Sequence, residues 1–167
     1  KLRSRNIDYK DLTKEFFKGT GDENSLFYGS NYMNTQVGNT RMAFEARDAF
    51  VNGDGGKIGG SVSFGLSGAF KAGSNMTEQF LGQSNFSVYP LNNDRVMIMI
   101  NDSKTFNSVN PLAKFGDWMN NQSDASNFSR DPNKTGGINN WMSNTRQTYI
   151  WIESMNVLTA KHALYGR

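Results

Sequence analysis

Apolar residues recur along this chain with two different periods. In TRMAFEARDAFVNG (40–53), Met42, Ala43, Ala46, Ala49 and Phe50 follow a 3.6-residue period. That spacing predicts a helix, and Gly53 suits its C-terminal cap. In DYKDLTKEFFK (8–18), Tyr9, Leu12, Phe16 and Phe17 gather on one side of a shorter amphipathic segment. SVSFGLSGAF alternates Val62, Phe64 and Leu66 as a strand would, with Gly65 and Gly68 hinting at bulges or close packing. Phe86 and Val88, with Tyr89 near them, follow a two-residue period within 77–91. NND (92–94) is a turn signal, and RVMIMIN returns, which makes the pair a hairpin. Val96–Ile100 is apolar at every position, so this strand is expected to be central and covered on both faces. RQTYIWIES (146–154) reads as a last strand and the tail beyond it as a weak helix.

Between these segments the chain is polar. GTGDENS (19–25) reads as a turn. Residues 107–140 read as a short helix near 111–120 followed by a long loop, and loops of that length in compact domains tend to carry function. No internal repeat of fixed period is present. The pattern predicts an α+β domain with a curved, mostly antiparallel sheet and a few short helices.

Composition agrees with that picture. The chain has 167 residues, enough for one domain (1–167) with a real core. Apolar residues make up 37% and charged residues 20%. Asparagine, with 21 copies, is the commonest residue type and favours turns over helix interiors. The net charge of +3 is too small to argue for a nucleic-acid partner, and none is expected. Cysteine is absent, which excludes disulfides, thiolate metal sites and a cysteine nucleophile. No run approaches the ~18 apolar residues that suggest a membrane-spanning helix. The chain opens Lys-Leu-Arg-Ser-Arg, without Met and without an apolar export segment. It is therefore expected to be a fragment or a processed product.

Chemistry-bearing residues are sparse. GTGDENS lacks the Lys-Ser/Thr ending of a phosphate loop and the third glycine of a dinucleotide fingerprint. His162, the single histidine, lies in the C-terminal tail and is expected at the surface. Asp94 and Asp102 flank one strand and would lie about 26 Å apart, too far to act as a pair. The stretch VMIMINDSKTFNSVNP (96–111) drives an apolar run into a polar hook. On residues alone Asp102 reads there as a turn residue. The Asn-x-Ser/Thr sequons are explained by chance in a chain so rich in both. Trp118, Trp141 and Trp151 with Tyr149 would suit a face that contacts carbohydrate or lipid, although Trp151 in a strand also suits the core.

Several blocks carry resemblances. FFKGT, SVSF and Glu153 are similar to the scattered Arg, Ser-Thr-Ser and Glu elements of ADP-ribosyltransferases. Lys18 stands where that family has Arg, however, and the paired Glu is missing. GTGDENSLFYGSNYM, GLSGAFKAG, TEQFLGQSNFSVYPL, NDSKTF and RQTYIWIE together resemble, across most of the chain, the variable C-terminal toxin domains of Rhs-type polymorphic toxins of Bacteroidetes. More distantly the chain resembles the activity domain of colicin M, which has an early G-x-G-x-x-x-S turn (here Gly19, Gly21 and Ser25) and an Asp-rich hook after a hairpin. Asp102, Phe106 and Asn107 match that hook; its Tyr, second Asp and His-Arg pair have no counterpart.

These resemblances imply an antibacterial effector domain that is borne on a larger secreted carrier and neutralised by a cognate immunity protein. It would act in the periplasm or envelope of the target cell on a lipid-linked peptidoglycan precursor, as a phosphodiesterase with an altered active site. Asp102 becomes the candidate catalytic carboxylate and ligand for a divalent metal such as magnesium. Asn101 and Lys104 beside it are further candidate catalytic groups. Phe106, Asn107, Tyr149 and Trp151 are candidate substrate contacts. Three rivals remain: a non-enzymatic toxin that perturbs the membrane or binds an envelope protein, a carbohydrate- or protein-binding module without toxicity, and an ADP-ribosyltransferase that consumes NAD in the cytosol.

Overall fold

A computed structural model describes residues 1–53, 58–62, 77, 81, 84–92, 94–104 and 145–165. The first helix, α1 (Tyr9–Lys18), starts at Asp8, whose side chain accepts hydrogen bonds from the backbone N–H groups of Lys10 and Asp11. The Asp11 carboxylate answers by accepting from the Asp8 N–H, a reciprocal cap. The helix stops where Gly19 turns left-handed at φ 65°, a conformation glycine adopts without penalty. Leu12 and Phe16 face inward, while the Phe17 side chain lies outside the described residues.

The chain then enters a strand, β1 (Asn24–Tyr28), where the sequence suggested only a turn up to residue 25. A six-residue helix follows, α2 (Tyr32–Val37), capped by Asn31 and likewise absent from the sequence reading. Two buried asparagines stitch it down. Asn31 donates to the Ser4 carbonyl, and Asn34 donates to the carbonyls of Gly29 and Ile150. Helix α3 (Arg41–Val51) covers the expected segment, but its C-cap is Asn52. Gly53, just beyond, is needed for closeness: a Cβ there would lie 2.7 Å from the Ala49 carbonyl oxygen.

Four more strands and a helix complete the described fold: β2 (Ile58–Val62), β3 (Ser84–Leu91), β4 (Arg95–Lys104), β5 (Thr145–Ser154) and α4 (Met155–Tyr165). The β3–β4 hairpin is the expected one, and Asp94 takes the positive φ of 52° in its turn. The sheet order is β1-β5-β4-β3-β2, with every neighbouring pair antiparallel except β1 and β5. The expected α+β class and mostly antiparallel sheet are observed, and the sheet is not closed into a barrel. β4 lies at its centre, as expected.

Two expectations change. β4 does not end at Ile100 but runs to Lys104, so Asp102 is a strand residue and not a turn residue. Nor are both faces of β4 equally covered. Val96, Ile98, Ile100 and Asp102 are fully buried, whereas Met97 and Met99 on the opposite face are half-buried. Residues 63–70, including Phe64 and Leu66, and residues 107–140 lie outside the described set.

The core is the buried face of this sheet under α1, α2, α3 and α4. Phe27, Ile98, Ile100 and Tyr149 meet Met33, Val37, Ala43, Ala46 and Leu158 in one continuous cluster. Gly60 has a specific reason to be small. It pairs with Phe86 across the β2–β3 ladder, and a Cβ on it would lie 2.6 Å from the Phe86 ring. Gly60→Ala should therefore cost about 1–3 kcal/mol through overpacking, read as a lower denaturant midpoint. An unchanged midpoint would mean that the ring can move aside.

Candidate functional site

The inward face of the sheet ends in polar residues at both extremities. At one end, pairing register sets four side chains in a single transverse row: Ser84 opposite Asp102, Asp102 opposite Gln147, and Gln147 opposite Ser25. All four are buried, Asp102 to 1% exposure. The Ser84 hydroxyl lies 3.3 Å from Asp102 Oδ1 and 3.1 Å from the Leu81 carbonyl, and its one proton serves either acceptor. Gln147 donates to Thr145 Oγ1 at 3.2 Å and accepts from the Tyr149 phenol at 3.4 Å.

Tyr149 belongs to the next row, Phe86–Ile100–Tyr149–Phe27, where it stacks on Phe27 with ring centroids 4.9 Å apart. Burial raises its phenol well above the ordinary value, and the Asp102 carboxylate adds to the rise. Tyr149 is thus a neutral core donor and cannot serve as a base near neutral pH.

The other sequence-derived candidates are scattered around this row. Asn101 points to the opposite face, where Thr148 Oγ1 donates to its Oδ1 at 2.8 Å. Lys104 is the last residue of β4, and its side chain, like Phe106 and Asn107, lies outside the described residues. Trp151 lies four residues along β5 from Gln147, which places it about 13 Å from the Asp102 row. A carboxylate beside a hydroxyl can hold and exchange a proton, and that is the chemistry Asp102 and Ser84 offer. Among the described residues no group of three or more His, Asp or Glu side chains is placed to hold a metal ion, and Asp102 is the one carboxylate of its row. No step through a metal follows from this geometry.

The opposite end of the inward face carries charge, which the sequence reading did not anticipate. Arg47 of α3 is completely buried and grips Glu153 of β5 with two hydrogen bonds, Nε to Oε2 at 2.9 Å and Nη2 to Oε1 at 2.7 Å. Lys161 of α4 donates to the same Oε1 at 2.8 Å, and the Trp151 indole N–H does so at 3.0 Å. Arg47 lies on the apolar stripe of its helix, with Ala43, Ala46 and Phe50. Glu153 shares the buried parity of Tyr149 and Trp151. Both signals were in the sequence: a charge within a helical stripe, and another within a strand's inward set. Glu153, the residue shared with the ADP-ribosyltransferase pattern, is occupied by these three donors.

His162, expected at the surface, is half-buried and has partners. Its Nε2 lies 2.8 Å from Asp48 Oδ1, and its ring stacks on Phe44, so it clamps α4 to α3.

Beside Glu153 a cleft of about 440 Å³ opens between the β1–α2 turn, α2, the end of β5 and α4. Trp151, Glu153 and Lys161 are among its walls. It lies at the charged end of the sheet, away from Asp102.

Burial alone would raise the Glu153 carboxyl, but hydrogen bonds and charge from Arg47 and Lys161 outweigh it and bring it from 4.5 down to about 2. A depressed carboxyl stabilises the fold fully above the unfolded value and loses that contribution as pH falls through the folded one. The window therefore runs from about pH 4.5 down to about pH 2. The contribution at neutral pH is on the order of 3 kcal/mol. Glu153→Gln should flatten stability across that window and cost roughly 3–5 kcal/mol at pH 7 by leaving Arg47 buried without its counter-ion. Denaturant melts of both proteins at several pH values would check this; identical pH slopes would remove the carboxylate from the account.

Comparison with known proteins returns no matching family model, no matching curated protein and no matching solved structure.

Proposed function

We propose that this chain is an antibacterial effector domain that acts on the envelope of a target cell. It would be carried by a larger secreted polypeptide and neutralised in the producer by a cognate immunity protein. One observation carries the reading. Four of the sequence blocks that resemble Rhs-type toxin domains are far apart in the chain, yet each contributes one side chain to the same buried row. GTGDENSLFYGSNYM supplies Ser25, TEQFLGQSNFSVYPL supplies Ser84, NDSKTF supplies Asp102 and RQTYIWIE supplies Gln147. Convergence of dispersed blocks on one place in the fold supports treating them as one unit, with Asp102 as its single carboxylate.

In the enzymatic form of this proposal the Asp102–Ser84 pair supplies the acid–base chemistry, and a lipid-linked cell-wall precursor is the substrate. A second form is favoured by the near-complete burial of Asp102. In it the row is structural and the domain kills by binding an envelope component. No described helix is long and apolar enough to cross a membrane.

Growth of a bacterium expressing the domain separates these forms. The domain should kill when a signal sequence sends it to the periplasm and be tolerated in the cytoplasm. Asp102→Asn, nearly isosteric, should abolish killing while the purified variant keeps a cooperative unfolding transition. Killing that survives the substitution would select the binding form. Killing only from the cytoplasm would end the envelope proposal.

A further inference from the structure

The cleft beside Glu153 has a charge imbalance at its floor. Arg47 and Lys161 bring two positive charges to one carboxylate, so the cluster is net positive. Arg47 lies directly behind the floor, where its Nη2 would be 3.7 Å from a Cβ placed on Gly38, a residue of the cleft wall. Lys161 lines the cleft, and its side chain is 38% exposed. One of its three N–H donors goes to Glu153, which leaves donors for a second acceptor. Among the described residues that line the cleft, Glu153 is the one carboxylate and Lys161 the one ammonium.

The mouth differs from the floor. Tyr28 and Ile152, which hold the outward parity of their strands, and Val157 line it where the cleft opens past the end of the β1–β5 ladder, each at least 41% exposed. They belong to β1, β5 and α4, so the rim is assembled from three elements rather than from one exposed helix face. A volume of about 440 Å³ matches small-molecule sites, which typically combine apolar walls with a few fixed polar groups.

We propose that this cleft binds a small organic anion, a phosphate ester or carboxylate, with its charged group at Lys161 and its apolar body against Tyr28, Ile152 and Val157. The site is separate from Asp102 and does not depend on the envelope reading. Each can fail while the other stands, because the test is a binding measurement on purified protein rather than a killing assay.

The test titrates the full chain, labelled with nitrogen-15, with phenyl phosphate, benzoate, phenol and inorganic phosphate while its amide resonances are followed. Phenyl phosphate and benzoate should shift the amides of Ile152, Val157 and Lys161 saturably. Phenol, which lacks the charge, and inorganic phosphate, which lacks the body, should each bind about tenfold more weakly or worse. Lys161→Gln should weaken phenyl phosphate by a similar factor. Val157→Trp, at an exposed position that leaves the charges untouched, should block it even if the lysine variant folds poorly. Absence of saturable shifts at millimolar phenyl phosphate would overturn the proposal. So would undiminished binding in Val157→Trp, or inorganic phosphate binding as tightly as its phenyl ester.

Discussion

Side chains on a strand point alternately to opposite faces, so a sheet packed on one side commits every second residue of each strand to the interior, whatever its polarity. This constraint organises the molecule. On β5 it buries Thr145, Gln147, Tyr149, Trp151 and Glu153; on β4 it buries Val96, Ile98, Ile100 and Asp102. The middle of each strand is apolar and meets the helices. The ends are polar, and each had to find partners or desolvation would have made burial unfavourable. The two polar ends solve the problem differently. One is a row of hydroxyls and an amide around a single carboxylate. The other is a charged cluster in which guanidinium, ammonium and indole converge on one oxygen.

The charged end also fixes how the helices sit. Arg47 reaches from α3 and Lys161 from α4 to the same carboxylate, while His162 and Asp48 join the helices to each other. Replacing a buried ion pair with apolar residues of the same shape is often neutral for stability, whereas breaking one is expensive. The cluster therefore acts more as a specification of helix placement than as a source of net stability. Apolar side chains could slide along the sheet, but a forked guanidinium and a carboxylate cannot.

Much of this fold was legible in the sequence, for physical reasons that can be named. The α3 stripe, the β3–β4 hairpin and β5 show strong periodicity and firm turn signals. β1 did not, because its five residues put a serine at one of its two buried positions and so show no apolar alternation. α2 is too short to display a period, and its stability comes from asparagine side chains bonded to distant carbonyls. The misplaced end of β4 has a simple cause. Polarity was read as the end of the strand, when the two-residue parity continued unbroken from Ile100 to Asp102. The same parity, extended through Trp151, would have marked Glu153 as buried and in need of a cation. Which cation could not be read, because Arg47 lies 106 residues away and only the tertiary fold brings it there.

The edge strand β1 has a neighbour that is synthesised late. Its ladder pairs Asn24 with Arg146, and its inner edge has no other partner among the described residues. During translation the first helices and β1 leave the ribosome long before β5 exists. Arg47 likewise emerges with no carboxylate to receive it. The sheet can be completed only when the C-terminal segment arrives, so the entropy of closing that long loop must be met late and at once. β2, β3 and β4 can pair with one another as they emerge, so what waits for β5 is the docking of β1 and the neutralisation of Arg47.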